Sequence, residues 1–208
     1  MNVELLTGER LSLPEVSRAT MLRYMRAGDA SKTLSALMEE CIREAESCLD
    51  PRVCFRYFPI RMNKNSLDLG FATVESVSLA RHLAGCEGIV LLAATLGLGI
   101  DRLVARYSRV SPARALCLQA LGTERIECLC DLACSYFATE RFAGSEVLPR
   151  FSPGYGDLPL ILQGEILRVL DCPRQIGLSL RQSLLMTPTK SVTAIVGLRK
   201  KENENERF

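Results

Sequence analysis

Three features of the 208-residue sequence predict an α+β (mixed α/β) single domain in which long helices pack on a largely antiparallel sheet. Apolar residues recur at three- and four-residue steps through Leu34, Leu37, Met38, Cys41, Ile42, Ala45, Cys48 and Leu49, the spacing of a long helix with one docking face. Residues 88–95 are apolar too continuously for a sheet with one wet face, so they read as a strand covered on both sides. Strands and long helices follow one another without strict alternation, which disfavours a parallel sheet of βαβ units.

In chain order, residues 1–30 predict an N-terminal arm, the first 20 extended or forming an edge strand, because Gly8 and Pro14 interrupt short apolar stretches. The first long helix starts at Ser31 and stops before Pro51. Val53, Phe55 and Tyr57 then alternate with Cys54 and Arg56, which suits a strand over residues 52–58. A short strand over residues 67–71 and a helix over residues 74–83 precede the buried strand. The turn of residues 95–99 leads into a helix over residues 100–108. Ser111 and Pro112 form an N-cap and first-position pair, and only Gly122, a possible bend, interrupts the helical pattern before Gly144. Residues 144–157, with Pro149, Pro153 and three glycines, predict a defined loop without regular structure. A helix over residues 158–170 follows, then strands over residues 176–180 and 191–198 with a bent connection through Met186 and Pro188. The domain is expected to end near residue 198, with residues 199–208 a disordered polar tail.

Composition removes several function classes. Hydrophobic residues make up 48% of the chain and charged residues 24%, the balance of a globular protein. The net charge of +2 is too small, and its basic residues too scattered, for a nucleic-acid footprint. The opening Met-Asn-Val-Glu-Leu-Leu has no basic region leading into an apolar one, so a cytoplasmic protein is expected, and the longest apolar run, residues 88–100, is too short to span a bilayer. The nine cysteines then read as reduced thiols; Cys130 and Cys134 share a helix face that Cys128 does not, which suits small core residues better than a metal site. His82, the single histidine, lacks the cysteine spacing of a zinc site.

The stretch Arg150, Phe151, Ser152, Pro153, Gly154, Tyr155 offers a guanidinium fork, a turn whose backbone can approach a ligand, and an aromatic wall. A small anionic or zwitterionic metabolite is one reading of it; an ordinary Pro-Gly turn beside a surface arginine is the other. Glu127, between Ile126 and Cys128, lies at the border of the apolar face of the long helix, where it either meets a cationic ligand group or is solvated. The turn Thr95-Leu96-Gly97-Leu98-Gly99 matches neither phosphate-loop pattern and reads as a plain strand-to-helix turn.

Two of these segments carry a family resemblance. R-F-S-P-G-Y (residues 150–155), followed by S-L-L-M-T-P-T-K-S-V-T-A-I-V-G (residues 183–197), resembles the paired R-x-x-P-G-Y and S-x-x-M-x-P-x-x-S-V-x-x signatures of the activation domain of cobalamin-dependent methionine synthase. A-L-G-T-E-R-I-E-C-L-C-D (residues 120–131) resembles that family's long helix and puts Glu127 on a ligand-contacting glutamate. The resemblance is clearest over residues 88–198, and it implies a twisted, largely antiparallel sheet. It further implies S-adenosylmethionine binding by Glu127, Arg150, Ser152, Gly154 and Tyr155, with Arg150 on the methionyl carboxylate and the backbone of Ser152 and Gly154 on the ligand. Met186, Pro188, Lys190 and Ser191 would lie at a cobalamin or partner surface.

In that family the bound S-adenosylmethionine methylates cobalamin that has been oxidised to an inactive state, after one-electron reduction by flavodoxin or a similar donor. The chain has no D-x-H-x-x-G cobalamin motif, so the resemblance implies an accessory domain in methionine biosynthesis rather than a complete methionine synthase. Its expected partner is a methionine synthase lacking this domain, or another corrinoid protein, that carries the cobalamin. Alternatives are an adaptor that docks on a corrinoid protein without binding S-adenosylmethionine, and a methyltransferase with another acceptor.

Overall fold

The computed structural model describes residues 2–28, 31–63 and 66–201. Strand β1 (Glu4–Leu6) precedes helices α1 (Arg18–Met25) and α2 (Lys32–Glu46), then β2 (Arg52–Pro59) and the short strands β3 (Arg61–Met62), β4 (Leu67–Asp68) and β5 (Thr73–Val74). Next come α3 (Val77–His82), β6 (Cys86–Thr95), α4 (Gly99–Tyr107), α5 (Pro112–Tyr136) and β7 (Ser145–Phe151). The chain continues through α6 (Leu162–Val169), α7 (Cys172–Ile176), β8 (Ser179–Leu180), β9 (Met186–Thr187) and β10 (Ser191–Lys200).

Five strands form one sheet in the order β1-β2-β6-β10-β7, each neighbouring pair antiparallel. The fold class is thus the predicted one. Alternate residues of each strand face opposite layers. Ile89, Leu91 and Ala93 of β6 join Cys54, Phe58 and Ile195 against Leu79 of α3, Ile166 and Leu167 of α6, and Cys172 of α7. Val90, Leu92 and Ala94 join Val53, Phe55, Val196 and Leu198 against Ile126, Leu129, Cys130 and Ala133 of α5. Both faces are therefore dry, which is why β6 shows no polar alternation. A third cluster packs α1, α2 and α4 on the first half of α5 through Met21, Met38, Cys41, Ile100, Cys117 and Leu121. Each fully buried aliphatic side chain of this kind contributes about 1.5–3 kcal/mol.

Local chemistry explains the boundaries. Ser31 starts α2 by accepting the Leu34 N–H at 3.2 Å, and Pro112 occupies the first turn of α5. α5 continues through Gly122, where a Cβ would lie 2.9 Å from Cε of Lys190; the glycine makes room for that side chain. The helix ends at Tyr136 in a π-helical turn, Phe137–Arg141, short of the expected Gly144. Among the described residues no helix is long and apolar enough to cross a membrane.

Four expectations are corrected. Residues 1–30 are not an arm throughout, because α1, capped by the Ser17 hydroxyl on the Thr20 N–H, buries Met21 completely in the helical layer. Residues 144–157 are not irregular throughout: residues 145–151 form β7. Pro149 has no N–H to give a central strand, but β7 is an edge strand bonded only to β10, and a register shift between Val196 and Leu198 accommodates it. Residues 176–180 are not one strand paired along the last one, because Ile176 closes α7 and β8 pairs with β9. β10 runs to Lys200, beyond the expected end at residue 198, because Arg199 and Lys200 still pair with Glu146 and Ser145; residues 202–208 of the expected tail lie outside the described residues.

Candidate functional site

β7 pairs with β10 over Ile195–Lys200 and turns away at Phe151, so residues 191–194 of β10 extend past its last partner on that side. A cavity of about 580 Å³ opens at this notch between α5 and α6, within the range of about 300–1,000 Å³ usual for small-molecule sites. Its two walls differ in chemistry because they come from opposite faces of the sheet.

The α5 wall is charged. Arg150 lies opposite Val196 in register and shares its face, which points it at α5. Its Nη2 donates to Oε2 of Glu127 at 2.9 Å and to Oδ1 of Asp131 at 2.8 Å. Glu127 and Asp131 are four residues apart and therefore neighbours on the helix surface. Among the described residues, Nε and Nη1 of Arg150 make no hydrogen bond. Burial works against the Arg150 charge, yet Cys130, Glu127 and Asp131 around it carry its pKa above the ordinary arginine value. Behind this wall burial pushes the Cys130 thiol up to about 12 and the cavity-lining Cys134 thiol up to about 11, so both stay protonated at neutral pH.

The loop after β7 is held from outside. The Asp157 carboxylate accepts the Ser76 hydroxyl at 2.5 Å and the N–H groups of Val77 and Ser78 at 2.7 and 3.1 Å, capping α3 from another segment. These donors, the Ser76 hydroxyl foremost, hold its pKa well below the usual carboxylate range. His82, at the other end of α3, places Nε2 2.8 Å from the Pro149 carbonyl oxygen. Within the loop the Gly154 N–H donates to the Leu158 carbonyl at 2.9 Å with φ at +91°, a conformation that favours glycine. Tyr155 sets its ring edge-on to Phe151, 6.2 Å between centroids, and is exposed at the cavity mouth.

The α6 wall is neutral. Gln163 and Thr193, 8% and 2% exposed, line the cavity, and Oε1 of the first and Oγ1 of the second have no hydrogen-bond partner among the described residues.

Searches with family profiles and among curated proteins find no match for this chain. A solved structure does match: the MetH reactivation domain bound to AdoHcy aligns over 98% of this chain and 80% of that one, with a TM-score of 0.72 and 14% sequence identity. The fold is that of the MetH reactivation domain.

Within the reactivation-domain fold, four of the five residues expected at the ligand come together, because Glu127, Arg150, Ser152 and Tyr155 all line the cavity. Gly154 is not among the lining residues, and its N–H is taken by Leu158, so it shapes the turn instead of offering a donor. Arg150, expected to be open to a carboxylate, already shares one nitrogen with two acidic side chains. The proposed partner surface divides. Met186 and Ser191 line the cavity, whereas Pro188 is buried, with its carbonyl accepting the Ser191 hydroxyl at 2.8 Å. Lys190 turns onto α5 and donates to Oγ1 of Thr123 at 2.9 Å, and desolvation lowers its pKa. Pro188 and Lys190 are thus engaged within the fold, and Thr189 between them is tied to Asp101 of α4 by two bonds of 2.6 and 2.8 Å.

Sequence reasoning missed Asp131, Gln163 and Thr193. Asp131 was within reach, one turn beyond Glu127. Gln163 and Thr193 carry a fainter signal: Gln163 follows the apolar Leu160, Ile161 and Leu162, and Thr193 sits between Val192 and Ala194.

Proposed function

We propose that this chain binds S-adenosylmethionine, and its demethylated product S-adenosylhomocysteine, in the cavity between α5 and α6, and acts as a separate reactivation module for a corrinoid protein. The observation that carries this reading is the meeting of Glu127, Arg150, Ser152 and Tyr155 at one cavity, in the fold of a domain that binds AdoHcy. The residues suit such a ligand. An amino-acid end needs an anion receiver and a cation receiver, and the free Nε and Nη1 of Arg150 stand beside the carboxylates of Glu127 and Asp131. The Tyr155 ring at the mouth offers a face to a sulfonium or a flat ring.

Under this reading the sulfur–methyl bond of the ligand breaks and the methyl group passes to a corrinoid carried by the partner, after one electron from flavodoxin or a similar donor. The present chain binds and orients the methyl donor and keeps the product. The partner is a methionine synthase lacking its own activation domain, or another corrinoid protein. Calorimetric titration of S-adenosylmethionine tests the ligand: saturable one-to-one binding that Arg150→Ala weakens supports it, and no binding by the wild-type protein contradicts it. Recovery of methylated corrinoid on the partner only when this chain, ligand and reductant are all present tests the role.

A second reading, a corrinoid-protein adaptor without ligand, is favoured by one observation: Arg150 already engages two carboxylates. Retention of a purified corrinoid protein by a chain that binds no S-adenosylmethionine separates the two. Transfer of the methyl group with the corrinoid protein omitted would instead indicate a methyltransferase with another acceptor.

A further inference from the structure

From Leu96 to Gln119 the chain carries four arginines and a single acidic residue, Asp101, so this stretch alone holds more positive charge than the +2 of the whole protein. Asp101 is already engaged, accepting the Thr189 N–H at 2.8 Å and the Thr189 hydroxyl at 2.6 Å. Arg114 turns inward to Glu40 and Glu44 of α2. The other three arginines are exposed: Arg102 and Arg109 make no hydrogen bond or ion pair among the described residues, and Arg106, 69% exposed, pairs loosely with Glu44 at 3.6 Å. At about 100° per residue, Leu98, Arg102, Ala105 and Arg106 share one side of α4, turned away from Ile100, Leu103, Val104 and Tyr107, which pack into the helical layer. Arg109 and Val110 follow in the turn after the helix, and Leu98 and Val110 are 44% and 75% exposed.

Like charges one helical turn apart repel, so this face does nothing for the stability of α4 itself. Its composition, arginines between exposed apolar side chains, is that of a protein–protein contact, where arginine and apolar anchors are enriched. Three free charges fall short of the roughly six to ten phosphate contacts of a nucleic-acid site. A membrane surface fits no better, because the apolar side of α4 that would enter a bilayer is spent on the helical layer. What complements the face is negative charge carried on a protein.

We infer that the outer face of α4, with Leu98, Arg102, Arg106, Arg109 and Val110, docks an acidic surface of another protein, one that presents carboxylates about one helical turn apart beside an apolar patch. None of these five residues lines the cavity between α5 and α6, so a protein seated here leaves the cavity mouth open, and the inference stands apart from the adenosyl-ligand reading. The two places are nonetheless joined: Asp101 of α4 holds Thr189, in the segment that supplies Met186 and Ser191 to the cavity.

The test uses the full chain as bait in nuclease-treated extract of its own cells, beside the charge reversal Arg102→Glu with Arg109→Glu. Neither arginine has a partner to lose, so the variant should melt with the wild type, and its affinity for S-adenosylmethionine should be that of the wild type. The expected result is an acidic protein held by the wild type and lost by the variant. Once identified by mass, purified and titrated alone, it should bind the wild type one-to-one, about tenfold or more tighter than it binds the variant, with an affinity that falls by about tenfold between about 0.05 and 0.3 M salt. Arg102→Gln with Arg109→Gln should lie between the two, and it decides the matter if the charge reversal melts early. No protein that distinguishes the baits, or a captured protein that once purified binds the variants as well as the wild type, overturns the inference. So does a difference between baits that only nucleic acid or anionic lipid vesicles reproduce, which would give the face to those ligands instead.

Discussion

Arg150 and Glu127, 23 positions apart in the chain, meet on the α5 wall of the cavity in a hydrogen bond of 2.9 Å from Nη2 to Oε2. The arginine is only 20% exposed and the glutamate 42%, so the pair is partly screened and contributes about 0–1 kcal/mol to stability. Its larger role is to aim the guanidinium. Arg150→Ala is expected to weaken S-adenosylmethionine binding by about tenfold or more while changing the unfolding free energy by about 1 kcal/mol or less. Arg150→Lys keeps the charge but not the planar fork, and its affinity should fall between the two. Calorimetry beside urea denaturation checks both; equal losses of affinity and stability would point to a merely structural arginine.

Asp157 ties the loop after β7 to α3, and its depressed pKa makes that tie pH-dependent. A group whose pKa is lower in the folded state stabilises the fold above its unfolded value, near 3.9 for aspartate, and loses that contribution as pH falls towards the folded value. Wild type is therefore expected to exceed Asp157→Asn in stability by a constant margin from about pH 5 to 8, a margin that shrinks below about pH 4. Denaturant titrations across that range measure it, and a margin that grows on acidification would contradict the geometry.

The buried pair Glu124 and Arg125 fastens the segment before α1 onto α5. Glu124 accepts the Ser17 N–H at 3.0 Å, and Arg125 donates to the Pro14 carbonyl at 2.6 Å. Their side chains are 6% and 4% exposed. Glu124→Ala strands a buried guanidinium and is expected to cost about 3–5 kcal/mol, whereas replacing both residues with Met should cost less than the single change. Equilibrium unfolding of the single and double variants tests this, and a single-variant loss below about 1 kcal/mol would argue against the clamp.

How much of this was legible in the sequence depended on how far each element's signal was local. Residues 31–50, 52–58 and 88–95 announced α2, β2 and β6 because a period of three to four, an alternation or an unbroken apolar run is written in neighbouring residues. β7 escaped because Pro149 and the flanking glycines signal a loop, and only its place at the sheet edge lets a proline sit there. α1 escaped because its eight residues have little amphipathic pattern, and the burial of Met21 against distant helices holds it in place. At the site, Arg150 and Glu127 were readable through motif resemblance. That Gln163 and Thr193 lack partners is a property of the packed molecule and has no counterpart in the chain alone.

The central claim is that an adenosyl ligand occupies the cavity between the charged wall of α5 and the neutral wall of α6. A crystal of this protein soaked with S-adenosylhomocysteine tests it most directly. The account predicts density in that cavity, with the ligand carboxylate within about 3.2 Å of Nε or Nη1 of Arg150 and its ammonium by Glu127 or Asp131. An empty cavity at saturating ligand, or density seated elsewhere on the molecule, would contradict it.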